Sequence, residues 1–393
     1  MLHLAAKPVK MAADHAALVA SIAVTTVAGE GPPPVPEADG DRLSRRTPPT
    51  IRDVAAAAGV SVGTASKALN GRGQLRSETR SRVLAAAERL EFRANDLIRS
   101  LQRGRTYTVG LLTTDYFGRF TMPLLAGIED ALGAAEILVF LCNIRDDPER
   151  ERRVVASLLA KQVDGLIVTG RRTDLRAPIA LGQSRVPLVY ANTRVADPTA
   201  LCLLPDDAQG GHLATVHLLQ SGRRSPAHVT GPAHWEAVSR RCQGMVAALN
   251  EHGLPAPPER ILYGEWTERW GYDAVERLLE RHPDVDAIFC GSDLIARGVM
   301  DALRESGRAI PDDVAVVGFD NWQIMAQAAR PPLTTVDLNL HDLGHEAARR
   351  LLNMVAGGAE SGTVHLPCSL VVRASSGNTG PRHGSTAETS PTG

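Results

Sequence analysis

At 393 residues the chain has room for two or three domains and a large hydrophobic core. Hydrophobic residues make up 44% and the formal charge is −1, an ordinary balance for a soluble globular protein. Five cysteines (Cys142, Cys202, Cys242, Cys290 and Cys368) are scattered with no C-x-x-C pair, which argues against a metal site and a disulfide framework and for the cytoplasm.

Residues 1–47 combine Lys7 and Lys10, an apolar run from Ala16 to Ala28 and the stretch GEGPPPVPEADG. The order imitates a secretory signal, but the run is too short to span a bilayer. The Pro/Gly-rich composition predicts a disordered leader or a misassigned start.

Residues 48–93 read as an all-α unit. Ile51, Val54, Ala55 and Ala58 recur at helical spacing, Thr50 can cap that helix, and Asp53 answers three residues later. Gly59 breaks the run, Val60 is the apolar turn residue, and Ser61 can cap a second helix from Val62 to about Leu69. This spacing is the helix-turn-helix layout, whose second helix enters the DNA major groove. A surface helical hairpin that binds nothing would read the same. The charge separates the two: residues 42–105 carry 14 Arg plus Lys against 5 Asp plus Glu, a net of +9, which leaves −10 for the remainder. A basic module on an acidic body fits a nucleic-acid partner. A third helix over 77–90 presents Val83, Leu84, Ala87 and Leu90 as its core stripe. Residues 94–105, containing NDLIRSLQRGR, form a hinge helix or a plain basic linker.

From Tyr107 short apolar strands alternate with helices. Strands are predicted at 107–112, 137–142, 163–168, 187–191, 226–230, 260–263, 286–290, 314–319 and 334–338. Helices are predicted at 121–134, 147–161, 206–221, 235–252, 268–281, 293–306 and 341–356. Such alternation implies parallel sheets with helices on both faces. There is no G-x-G-x-x-G, no nucleophile elbow, no H-E-x-x-H and no metal-ligand spacing, so neither a cofactor, a metal nor an enzyme is expected. His212, His217 and His228 read as structural or surface residues. The polar stretch 375–393 reads as a disordered tail without a leucine heptad.

Several motifs occur in one frame: TIRDVAAAAGVS, TASKALN, ETRSRVLAAAERLEF, NDLIRSL, VDGLIV, DVAVVGFD and PPLTTV, running to about Ala374. On these the chain resembles the lac-repressor/gal-repressor (LacI/GalR) family of bacterial transcription regulators. The resemblance implies an α/β architecture: an all-α helix-turn-helix headpiece, then a two-lobed, doubly wound, periplasmic-binding-protein-like body over 106–374. The first lobe should hold about 106–205 and 334–364, the second about 206–333 and 365–374.

The resemblance also implies site roles. Base reading falls to Val62, Gly63 and Lys67, with Gly63 departing from relatives that carry a hydrogen-bonding side chain there. Phosphate contacts match Thr50, Ser61, Thr64, Ser66, Asn70 and Thr79. Leu101 matches the leucine that wedges into the minor groove. Arg76 stands where relatives usually carry a capping serine, which moves the expected cap to Ser77. In the body, Arg241 matches the effector-binding arginine, whose planar fork suits vicinal oxygens; pairing with a structural carboxylate is its alternative. Asp320, Asn192 and Ser292 follow strands, and Trp266, Tyr116 and Phe120 can wall a sugar. Asp320 can equally cap a helix beginning near Trp322, and Asp293 is expected to cap the helix that follows it.

The implied function is a dimeric DNA-binding regulator, a repressor, acting on a pseudo-palindromic double-stranded operator. A sugar or polyol effector between the lobes sets operator affinity by linkage, with no membrane involved. The competing reading is an exported solute-binding protein of a transporter, which has no use for residues 50–101. An enzyme on the same scaffold is a third.

Overall fold

The computed structural model describes residues 49–69, 73–90, 92, 105–133 and 136–377. Expectations for the leader, Asn70, residues 94–104 of the hinge segment with Leu101, and residues 378–393 lie outside them. The chain divides into two units, residues 1–93 and 94–393.

The first unit contains α1 (Ile51–Ala57), α2 (Val62–Leu69) and α3 (Ser77–Arg89). The Asp53 carboxylate accepts from the Thr50 backbone N–H and from its hydroxyl, both at 2.7 Å. The Thr50 hydroxyl bond holds the Asp53 carboxyl below its ordinary pKa. Gly59 turns the chain at φ +63°, a conformation that costs glycine little. Ser61 Oγ then accepts from the Thr64 N–H at 3.1 Å and starts α2. The core is Val54, Val83 and six alanines: Ala55, Ala58, Ala65, Ala68, Ala86 and Ala87. Side chains this small let the three helices approach closely.

Two expectations for α3 need correction. Leu84 is 48% exposed, because Val83, Ala86 and Ala87 form the i, i+3, i+4 stripe and Leu84 lies a step around the helix from it. The N-cap is Arg76, with no side-chain cap bond, since Ser77 is already helical.

The second unit is built from two six-stranded sheets. The first has the order β11-β5-β4-β3-β1-β2, with β1 Thr108–Thr113, β2 Leu138–Asn143, β3 Gly165–Thr169, β4 Leu188–Ala191, β5 Leu201–Pro205 and β11 Gly362–Leu366, all parallel. The second has the order β12-β10-β9-β8-β6-β7, with β6 Pro226–Thr230, β7 Ile261–Tyr263, β8 Ala287–Cys290, β9 Ala315–Phe319, β10 Thr334–Asp337 and β12 Ser369–Val371. Only β12 runs antiparallel to its neighbour in that sheet. Strands buried on both faces read as continuous apolar runs, as β3, β5 and β9 do.

Three strands escaped the sequence. β5 is a five-residue apolar run directly before a helix, and periodicity cannot assign so short a run. β11 and β12 are edge strands of five and three residues. The lobe boundary also moves. Thr334–Asp337, expected in the first lobe, lies parallel to β9 in the second, with Thr334 opposite Val317. The crossover follows it, and helix Leu340–Val355 packs on the first lobe's core through Leu343, Ala347, Ala348 and Leu351.

The tail boundary moves as well, since Ser375 and Ser376 are buried. Ser375 Oγ donates to the Val316 carbonyl at 2.6 Å and accepts from the Thr334 N–H at 2.8 Å. Ser376 Oγ lies 2.8 Å from His217 Nε2. These bonds secure β10 and satisfy polar groups that would otherwise be buried unpaired.

Candidate functional site

Open α/β sheets bind ligands beyond the carboxyl ends of their strands. There a cavity of about 200 Å³ lies between the lobes. The first lobe contributes Arg119 and Phe120 after β1, Thr173 after β3 and Asn192 after β4. The second contributes Trp235 after β6, Trp266 after β7, Ser292 after β8 and Asp320 after β9. Arg241 enters from helix Glu236–Glu251.

Arg241 is 7% exposed at its side chain, and its position follows from close helix packing. Gly211 lets helix Asp207–Gln220 approach, for a Cβ there would stand 2.3 Å from the Arg241 carbonyl oxygen. Gly244 answers from the other side, 1.9 Å from the Ala208 carbonyl oxygen by the same measure. The approach brings Arg241 Nε to 2.8 Å and Nη2 to 2.7 Å from Asp207 Oδ1. Nη1 donates to the Gly291 carbonyl at 2.5 Å, and the guanidinium lies 3.7 Å from the Phe319 ring centroid. Burial opposes its charge, but Asp207 and Asp320 outweigh burial and hold the pKa above the ordinary value. The structural reading of Arg241 and its place in the cavity are therefore both present in one side chain.

Asp320 sits at φ +104°, a costly backbone for a residue with a Cβ. Its carboxylate pairs with Arg119 from the opposite lobe and lies 4.0 Å from Arg241 Nη2. It does not cap the helix after it. That carboxylate role falls to Asp293, which accepts from the Trp322 N–H at 2.6 Å and from the Thr335 hydroxyl at 2.6 Å. Asp293 in turn is not the cap of its own helix: Ser292 Oγ accepts from the Ile295 N–H at 3.3 Å. Burial, and then the neighbouring charge of Asp320, push Asp293 up to about 7.

Of the sequence-derived effector residues, the structure brings Phe120, Asn192, Arg241, Trp266, Ser292 and Asp320 to this cavity. Tyr116 is not brought in. It is 66% exposed beside Phe117, since the loop after β1 turns inward only at Arg119. Asn192 is buried at φ +56°, which asparagine tolerates, and its Nδ2 donates to the Gly170 carbonyl at 2.9 Å. Trp266 packs on Gly231, where a Cβ would meet the ring at 2.2 Å, and its centroid is 5.6 Å from that of Trp235.

Sequence reasoning missed Arg119, Asp207, Trp235 and Arg172. Trp235 stands at the first position of a predicted helix, whereas Asp320 directly follows a strand. His228 is buried within β6 and stacked on Phe289, and burial pushes it down to about 4. It is a neutral structural residue.

In the headpiece, Val62, Gly63 and Lys67 are exposed along α2, opposite the buried Ala65 and Ala68. Thr50 and Ser61 are exposed helix starts, and Thr64, Ser66 and Thr79 are partly exposed.

A helix-turn-helix unit and a two-lobed body with a cavity at its strand ends, on one chain, define a ligand-responsive DNA-binding regulator. Residues 50–95 match the family described as bacterial regulatory proteins, lacI family. Residues 106–374 match periplasmic binding proteins and sugar binding domain of LacI family. The HTH-type transcriptional regulator CelR of Thermobifida fusca is 35% identical over 322 residues, covering 80% of this chain and 94% of that one. Catabolite control protein A of Priestia megaterium is 33% identical over 83% of this chain and 98% of its own length. Among solved structures, the lac repressor dimer bound to operator and the anti-inducer ONPF superposes with a TM-score of 0.71 at 27% identity, covering 84% of this chain and all of that one. A CelR–cellobiose complex has a TM-score of 0.59 at 32% identity, covering 83% and 99%. The chain belongs to the LacI family of bacterial transcription regulators.

Proposed function

We propose that the chain is a cytoplasmic, homodimeric repressor whose affinity for a pseudo-palindromic operator is set by a sugar-like effector held between the lobes. The observation that carries this reading is the cavity at the strand ends, lined by Arg241, Asp320 and Trp266, on a chain that also carries the α2 face. Val62 touches a thymine methyl, Lys67 donates to guanine, and Thr50, Ser61, Thr64, Ser66, Asn70 and Thr79 fix register on phosphates. Leu101 wedges the minor groove from the hinge segment 94–105. The relatives named above are regulators, and among the described residues no helix is long and apolar enough to cross a membrane.

The effector acts by linkage. A ligand that favours one lobe arrangement changes operator affinity, and operator changes ligand affinity by the same factor. Neither catalysis nor a cofactor enters this scheme. The test is selection of genomic fragments by the purified chain at about 150 mM salt, repeated with neutral and acidic sugars. Enrichment of one pseudo-palindrome, released or tightened by a sugar, is the expected result. Equal retention of random duplex would overturn it. Arg241→Ala should retain operator binding and lose the response.

A further inference from the structure

The balance of charge in the cavity bears on the chemistry of the ligand. Four arginines line it, Arg119, Arg171, Arg172 and Arg241, against one carboxylate, Asp320. Two arginines are already satisfied by groups outside the lining: Arg241 by Asp207 and the Gly291 carbonyl, and Arg171 by Asp146 at 3.1 Å. Asp320 is engaged by Arg119.

What remains unspent is almost all donor. Among the described residues Arg172 has no ion pair, and its guanidinium lies 4.7 Å from the Trp235 centroid at the exposed mouth. Arg119 Nε is buried without a hydrogen-bond partner, although the guanidinium is flanked at 4.9 Å by both Phe120 and Trp322. The Thr173 hydroxyl, on the same wall, is also buried and unpartnered. Buried donors left unpaired are costly, so a ligand that supplies acceptors recovers that cost.

The nearby acids have partners of their own. Asp174 is engaged by the Glu236 backbone N–H at 2.8 Å, and Glu236 accepts from Arg194 Nε at 2.9 Å. Asp293, behind Asp320, is pushed up to about 7 by burial, and its oxygens accept from the Trp322 N–H and the Thr335 hydroxyl. For the hydroxyl protons of a neutral polyol the lining offers one carboxylate, already paired with Arg119, and otherwise only the neutral oxygens of Asn192, Thr173 and Ser292.

We propose that the ligand is an anionic saccharide, a sugar carrying a carboxylate or phosphate that faces Arg119, Arg172 and Thr173 while its ring lies against Trp235 and Trp266. The proposal rests on the reading of this cavity as the effector site. Charge-assisted bonds to guanidinium are the strong ones, and the planar fork fits either group.

The test is calorimetric titration of the full chain with glucose, galactose and cellobiose, and with glucuronate, galacturonate and glucose 6-phosphate. At least one charged sugar should bind about tenfold or more tighter than its neutral counterpart, the gain of one charge-assisted bond. The uronates and the phosphate distinguish which anion is read. Arg172→Met and Arg119→Met should each reduce that preference, and added salt should weaken the charged sugars selectively. If Arg119→Met does not fold, the exposed Arg172→Met carries the test. Equal or tighter binding of the neutral counterparts, or a preference unchanged in both variants, overturns the proposal alone. Binding of no sugar in either set overturns the sugar reading with it.

Discussion

The candidate recognition residues of the headpiece and of the body sit in opposite settings. On α2 the candidate reading positions, Val62, Gly63 and Lys67, stand in solvent while alanines beneath them hold the helices together. In the body, residues at the cavity and just behind it also hold the lobe: Arg241, in the lining, ties helix Asp207–Gln220 to the end of β8, and Asp293, buried behind Asp320, ties the starts of two helices to β10. On the proposed roles, recognition in the first unit is separable from stability, whereas at Arg241 in the second it is not. The headpiece can change its DNA preference by surface substitution. In the body, Arg172 is a cavity residue with no ion pair among the described residues, so its substitution is expected to touch the ligand and not the fold.

The largest effect expected from this contrast is Arg241→Ala. It strands the buried Asp207 carboxylate and should cost about 3–5 kcal/mol in denaturant unfolding of the body; a loss below about 1 kcal/mol would mean that recognition and stability are separable there too. Gly244→Val comes next. Its side chain meets the Ala208 carbonyl oxygen, so the two helices must part, at about 1–3 kcal/mol or more, and the ligand response should fall with stability. Ser61→Ala should cost about 1 kcal/mol, read by faster amide exchange along α2 with the body unaffected. Lys67→Ala should lie within about 0.5 kcal/mol of the parent in stability while weakening operator binding. A Lys67 variant that unfolds the headpiece would erase the contrast.

A pH experiment sharpens the same comparison. Burial pushes Asp293 up to about 7 in the folded chain, above the ordinary 3.8 of an aspartate. Between these values the folded state binds the extra proton, so stability falls as pH rises through the window and then levels. Asp293→Asn should flatten that decline. An equal slope in the variant would assign the titration to another group.

Local chemistry made much of this legible. The Thr50–Asp53 pair, Gly59 and Ser61 act within three or four residues of themselves, so the helix-turn-helix was readable letter by letter. The alternation of apolar strands with helices gave the parallel class. Leu84 was misplaced because an apolar letter one step off a stripe looks the same in sequence as one on it. β5 and β12 were unreadable because short apolar strands have no period of their own. At the cavity, residues that follow strands were found through position and resemblance, and Tyr116 was misjudged because the turn of its loop is not a local property.

The sequence by itself determined the Thr50 and Ser61 helix starts, the strand-helix rhythm and the separation of a basic module from an acidic body, since each depends on neighbours along the chain. The tertiary structure alone decided that Arg119 meets Asp320 across 201 residues, that β10 belongs to the second sheet, and that Ser375 and Ser376 complete that lobe. Those outcomes follow from which buried polar groups find partners once the sheets assemble, and desolvation imposes that condition only in the folded chain.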